Sequence, residues 1–227
     1  MRNRFDEQLC ELHNSIIKMG EMCCDAIELA ANALINHING DRGDNIEKAI
    51  AHTLETDREI DRTERDIETL CLKLLLQQQP VAKDLRRISA ALKMISDMER
   101  IGDQASDIAE IIRYISVGNT KHKIHINEMS SIAGKMVRES VSSYIDGNIL
   151  LASRVIQEDD ELDRLFCLVK NEIIEEISNG VSDCGECIDL LMIAKYLERI
   201  GDHATNIAEW AEYSVCGIHR SSEIKDL

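Results

Sequence analysis

Glu99-Arg100-Ile101-Gly102-Asp103-Gln104-Ala105-Ser106-Asp107-Ile108-Ala109-Glu110 returns later in the chain as Glu198-Arg199-Ile200-Gly201-Asp202-His203-Ala204-Thr205-Asn206-Ile207-Ala208-Glu209. Nine of the twelve positions are identical, which decides between coincidence and duplication. Chance likeness between helices would favour Leu, Ala, Glu and Lys; it would not restore Arg-Ile-Gly-Asp in register. A fainter pair of matching stretches lies upstream of each copy. Ile50, Thr53, Asp57, Ile60, Glu64, Ile67, Cys71 and Leu74 alternate in steps of three and four, and so do Ala152, Val155, Asp159, Leu162, Phe166, Val169 and Ile173. Such spacing predicts a helix with one narrow packing seam. Each seam carries an aspartate, with a second four residues on (Asp61 and Asp163).

Working outward, the breaks are legible. Asn39-Gly40-Asp41-Arg42-Gly43-Asp44 reads as a turn, Pro80 suits the opening of a helix, and Val117-Gly118-Asn119-Thr120 closes the first half. Asp146-Gly147-Asn148 is a tight turn or a helix break, and Ser178-Asn179-Gly180 ends the next helix. The expectation is six long helices, roughly 4–38, 44–78, 81–116, 125–145, 149–178 and 184–215. Short connections then give two tandem up-down-up three-helix bundles, 1–119 and 120–227, in an all-α chain. Composition agrees: one proline and eleven glycines leave few turns for a sheet protein, while 3% aromatics and an apolar content of Ile, Leu, Ala and Met suit helix packing.

The net charge of −16 excludes a direct nucleic-acid partner, because no basic stripe relieves the repulsion of a phosphate backbone. Metal cations or basic protein patches are the natural complements. No apolar run is long enough to span a membrane and no secretory signal opens the chain, so a cytoplasmic protein is expected. The eight cysteines are then free or buried thiols. Cys184-x-x-Cys187 is expected in a loop before the last helix, and His122-Lys123-Ile124-His125 in the link between halves. Neither completes a metal or redox motif.

The chemistry lies in the carboxylates. Residues four apart on a helix share a face, so Glu99, Asp103, Asp107 and Glu110 form one acidic stripe, directed like Leu85, Ile88 and Leu92 of the same helix. Asp57 and Asp61 do the same on the preceding helix, and Asp159, Asp163, Glu198 and Asp202 repeat the set, with Asn206 in place of Asp107. One acidic stripe is ordinarily a solvated face. Two matching pairs of stripes point to hard cations such as Mg²⁺, Ca²⁺, Mn²⁺ or ferric iron, which take oxygen ligands. Gly102 and Gly201 interrupt helices at about 1 kcal/mol each relative to Ala, so a close approach is expected beside them. His203 turns away from the stripe and is not expected to be a ligand. No Glu-x-x-His pair, phosphate-binding glycine loop or nucleophile–base pair occurs, so no catalysis is expected.

The doubled Glu-Arg-Ile-Gly-Asp, the Asp57-x-x-x-Asp61 and Asp159-x-x-x-Asp163 helices, and Gln79-Pro80-Val81-Ala82-Lys83-Asp84-Leu85-Arg86 together resemble the PhoU family over nearly the whole chain. The resemblance implies two three-helix bundles and negative regulation of the phosphate-starvation response, with modulation of high-affinity phosphate uptake. It implies contacts with the ATPase subunit of the phosphate ABC transporter and with a membrane sensor histidine kinase, commonly as a homodimer bound peripherally to those partners. It also implies multinuclear sites for iron, manganese, magnesium or another divalent cation on Asp57, Asp61, Glu99 and Asp103, and on Asp159, Asp163, Glu198 and Asp202, with Asp107 and Asn206 as additions. Residues alone leave open a metal-cluster helical-bundle enzyme, and a metal-free adaptor, for instance beside a low-affinity phosphate permease.

Overall fold

A computed structural model of the protein describes residues 2–41, 43–78, 80–115, 123–180 and 183–218. Six long helices follow one another: α1 (Arg2–Ile38), α2 (Asp44–Gln78), α3 (Ala82–Ile111), α4 (Lys123–Asp146), α5 (Ile149–Ser178) and α6 (Cys184–Cys216), with one 3₁₀ turn at Ile112–Tyr114. The expected 119/120 boundary and the Val117–Thr120 break lie outside the described residues, as does His122.

Four expectations need correction. The third helix was expected to run to 116, but it gives way at Ile112 to the 3₁₀ turn and then to extended Ile115. There the Ile115 carbonyl is held by the His37 ring nitrogen at 2.7 Å, and Arg113 donates to Glu47 through Nε and Nη2. Tertiary partners thus replace the last turn of α-helix. Pro80 precedes Val81, the residue that caps α3, and so stands outside the helix it was expected to open. Cys184 and Cys187 are not in a loop: Asp183 caps α6 by accepting from the Gly185 amide, which starts the helix at Cys184. Likewise Lys123 and His125 belong to α4, where the His125 ring faces Glu172 of α5 at 3.4 Å.

The middle turn resolves as a sharp reversal. Gly147 adopts φ 63°, a left-handed conformation that suits glycine. Asn148 then caps α5, its side-chain oxygen accepting from the Leu151 amide at 3.1 Å.

Burial explains why the two seams are narrow. α2 and α5 are outer helices, each covered on one side, and they bury Ile50, Ile60, Ile67 and Leu74, or Val155, Leu162, Val169 and Ile173. α3 and α6 pack against several helices and against each other, so their buried sets cover more than half of the helix circumference. Alanines 90, 91, 105 and 109 on α3, and 194, 204, 208 and 211 on α6, let those neighbours come close. α1 also lies along α4, where Gly20 meets Val141. One continuous apolar core therefore runs through both repeats. Tyr144 of α4 fastens them further, donating its buried hydroxyl to the Arg87 carbonyl of α3 at 2.9 Å.

Candidate metal centres

Each acidic cluster forms where an outer helix lies on a central one. The first draws on α2 and α3, the second on α5 and α6. In both, the seam aspartate faces a glycine of the central helix. A Cβ added at Gly102 would stand 2.8 Å from Asp57 Oδ1 and 3.1 Å from Ile60 Cδ1. At Gly201 it would stand 3.0 Å from Asp159 Oδ1 and only 2.4 Å from Leu162 Cδ2. The two glycines are therefore cradles, each admitting a carboxylate and an aliphatic side chain against the backbone of the central helix. In both cases the cradled oxygen is buried and has no hydrogen-bond partner among the described residues. A buried polar atom left so is costly and asks for a proton or a cation.

Electrostatics tell the same story twice. Asp57 is pushed up to about 6, first by burial and then by the charges of Asp103, Asp61 and Asp107. Asp159 is pushed up to about 6 by burial and then by Asp202, Asp163 and Glu198. Burial also raises Glu99, Asp103 and Asp107, with neighbouring acids adding to it, and Arg100 opposing it at Glu99 and Asp103. Asp202 is raised by burial while Lys195 opposes the rise. Asp57, Asp61, Glu99 and Asp107 are partly buried, Glu198 is buried, and Asp103, Asp163 and Asp202 stand at the exposed rim. The stripe of α3 is accordingly graded: Glu110 is exposed and Leu85 is 44% exposed, so only its middle faces a neighbour.

The tenth expected residue behaves differently. Asn206 gives its amide to Asp97 Oδ1 at 3.1 Å, and His203 reaches the same oxygen at 2.9 Å through Nδ1. Both bonds cross from α6 to α3. Asp107, which matches Asn206 in the repeat, accepts from the Tyr196 hydroxyl of α6 and still lies within electrostatic reach of Asp57. Near the repeat axis the two halves thus exchange polar contacts, Asp97 with His203 and Asn206 in one direction, Tyr196 with Asp107 in the other.

Reading single stripes missed five residues. Glu64 accepts from the Ser96 hydroxyl at 3.3 Å beside the first cluster. At the matching places of the second cluster stand Phe166 and Lys195, and the Lys195 ammonium lies 5.3 Å above the Phe166 ring while pairing with Glu198. Asp97 and Tyr196 complete the cross-links. Aligning the two repeats residue by residue would have exposed the Glu64/Phe166 and Ser96/Lys195 exchanges.

The donor set fits a hard cation: all oxygen, strongly anionic, partly desolvated, with one orphaned oxygen per cluster. Among the described residues, no three His, Cys, Asp or Glu side chains converge on one point as they stand. Rotation of Asp61 and of the rim carboxylates of Asp103, Asp163 and Asp202 would be part of any binding.

An internally duplicated, all-helical protein with one acidic cluster per repeat is the class that fold and site define. The PhoU domain model matches residues 16–112 and 126–211. The chain belongs to the PhoU family. It is 33% identical over 220 residues to the phosphate-specific transport system accessory protein PhoU homolog of Clostridium acetobutylicum, covering 95% of this chain and 96% of that protein. With the homolog of the same description from Aquifex aeolicus it shares 36% identity over 194 residues, 85% of this chain and 84% of that one. The crystal structure of PhoU from Pseudomonas aeruginosa superposes with a TM-score of 0.83 at 28% identity, covering 94% of this chain and all of that one. The family is non-enzymatic. Among the described residues no helix is long and apolar enough to cross a membrane.

Proposed function

We propose that this chain is a non-enzymatic regulator of phosphate homeostasis. It holds back the phosphate-starvation response while phosphate is plentiful and modulates high-affinity phosphate uptake. Its partners on this reading are the ATPase subunit of the phosphate transporter and a membrane sensor kinase, and it works as a homodimer. The observation that carries the proposal is the near-complete match to phosphate-specific transport accessory proteins, over 95% of this chain.

The acidic clusters supply the working parts. Asp57, Asp61, Glu99, Asp103 and Asp107 would hold cations in the first repeat, and Asp159, Asp163, Glu198 and Asp202 in the second. A bound hard cation supplies positive charge to carboxylates that burial otherwise penalises. The chain's own contribution is to fix α2 on α3, and α5 on α6, through the glycine cradles. Because α3 and α6 also touch each other, neutralising either cluster bears on the junction between repeats.

Deletion of the gene tests the regulatory role. Phosphate-starvation genes are expected to be expressed in phosphate-rich medium, with repression restored by the wild-type chain. Unchanged expression in the deletion strain would contradict the proposal.

A further inference from the structure

The two clusters differ in the placement of their charges beyond the single Asp107/Asn206 exchange. Around the first stand Asp57, Asp61, Glu64, Glu99, Asp103 and Asp107, with Ser96 donating to Glu64 at 3.3 Å. Around the second, Glu64 is replaced by Phe166 and Ser96 by Lys195. The Lys195 ammonium pairs with Glu198, itself buried, and is seated over the face of Phe166 at 5.3 Å. Phe166 is packed against the core, so it offers the lysine a fixed aromatic platform. An ammonium over an aromatic face and against a carboxylate is held from two sides. Around the second cluster the Glu64 and Asp107 carboxylates are lost and the Lys195 ammonium is gained, while beside the seam aspartate the exchange runs the other way, Arg58 against Asp160. Arg58 is paired with Glu55, so the cation seated directly on a cluster carboxylate is Lys195 on Glu198.

We infer that Lys195, seated on Phe166, is a resident counter-ion of the second cluster, so that the two clusters bind divalent cations unequally and the first fills before the second. The inference rests on the proposal that both clusters bind cations. Glu198 is the shared element: it can face Lys195 or an added cation, and an added cation must repel the ammonium or displace it. One extra unit charge at contact distance opposes a divalent ion by at least roughly tenfold in affinity, even with water-like screening. The pair of repeats therefore spans a wider range of cation concentration than two equal sites would. It also gives the protein a state in which the α2–α3 cluster is filled and the α5–α6 cluster is held by its own lysine.

The test is a titration of the chelator-stripped full chain with Mn²⁺, counting free ion by electron paramagnetic resonance. Wild type is expected to show two classes of binding, separated by about tenfold or more. Asp57→Asn should remove the tight class and Asp159→Asn the weak one. Lys195→Ser should tighten the weak class by about tenfold and leave the tight class in place, and Ser96→Lys should weaken the tight class by a comparable factor. Circular dichroism of each variant checks that the helices persist. Ser96→Lys keeps the test decisive if Lys195→Ser does not fold, because the serine site is at the surface. Equal affinities in wild type, or no change in either lysine variant, would overturn the ranking while leaving the metal reading intact. Absence of Mn²⁺ binding in wild type would overturn the metal reading, and the ranking with it.

Discussion

The α2–α3 cluster and the α5–α6 cluster start from the same backbone device and diverge in their side chains. Both seat an aspartate oxygen against a helical glycine, without a hydrogen-bond partner among the described residues. Around that shared device the first repeat gathers acids, whereas the second supplies Phe166, Lys195 and Asn206. What duplication conserved is the cradle; what it let drift is the charge. The cradle governs how closely an outer helix lies on a central one, so it is bound into packing. The charge around it is free to change, because the positions that differ lie off the cradle: Ser96 and Asn206 are exposed, and Glu64, Asp107, Phe166 and Lys195 are only half-buried.

If the cradles are packing devices, they should respond unequally to a single methyl. At Gly201 the new Cβ would meet the fully buried Leu162 at 2.4 Å, and at Gly102 it would meet mainly the Asp57 carboxylate, at 2.8 Å. Overpacking of this kind costs about 1–3 kcal/mol, against a helix-propensity gain of about 1 kcal/mol for removing glycine. Gly201→Ala should therefore lower stability by about 2 kcal/mol, and Gly102→Ala by less while displacing Asp57. Chemical denaturation of the two variants measures this, and equal losses would break the comparison.

The contacts across the repeat junction offer the next largest contrast. His203 and Gln104 occupy matching places, and both are buried. His203 bonds to Asp97, whereas Gln104 Oε1 has no partner among the described residues. His203→Leu should cost about 1–3 kcal/mol, because it strips Asp97 of a bond. Gln104→Leu should lie within about 1 kcal/mol of wild type, since it removes an unsatisfied oxygen. A costly Gln104→Leu would break the contrast between the matching positions 104 and 203.

The fold was legible because its signals are local or repeated. Glycine and asparagine mark the ends of α1, α4 and α5, the seams mark α2 and α5, and the doubled dodecapeptide marks α3 and α6. The bounds of α2 and α5 match the expected 44–78 and 149–178. The end of α3 was not legible, since it is set by His37 and Glu47 of distant helices. In the clusters, the helical wheel brought Asp57 toward Asp103 and Asp159 toward Asp202, because four-residue spacing fixes a face. It could not say what stands opposite that face. Asn206 shared the stripe by spacing yet turns its amide to Asp97, and Tyr196 reaches Asp107, because α6 lies beside α3. A wheel describes one helix; ligands are chosen by two.

The smallest effect expected is on pH dependence. Asp57 and Asp159 titrate near 6 in the fold, against 3.8 for a free carboxyl. Between those values the native state binds more protons than the unfolded chain, so metal-free protein gains stability as pH falls from 7 toward 5. This is opposite in sign to a salt-bridged carboxylate. Both groups are partly exposed, so solvent screening holds the gain to roughly 1 kcal/mol, or roughly 2–4 °C in Tm. Scanning calorimetry with chelator present measures it, and Asp57→Asn with Asp159→Asn should flatten the profile. A wild-type Tm that falls steadily from pH 7 to pH 5 would contradict the desolvated state assigned to these carboxyls.

The central question is whether the acids hold metal at all. The deciding measurement is elemental analysis of purified, untagged wild-type protein beside the Asp57/Asp61/Asp159/Asp163→Asn variant. Iron, manganese or another hard cation retained by wild type and lost from a folded variant is the predicted result. Metal-free wild-type protein that still restores repression in the deletion strain would contradict it, and would make the carboxylates a recognition surface.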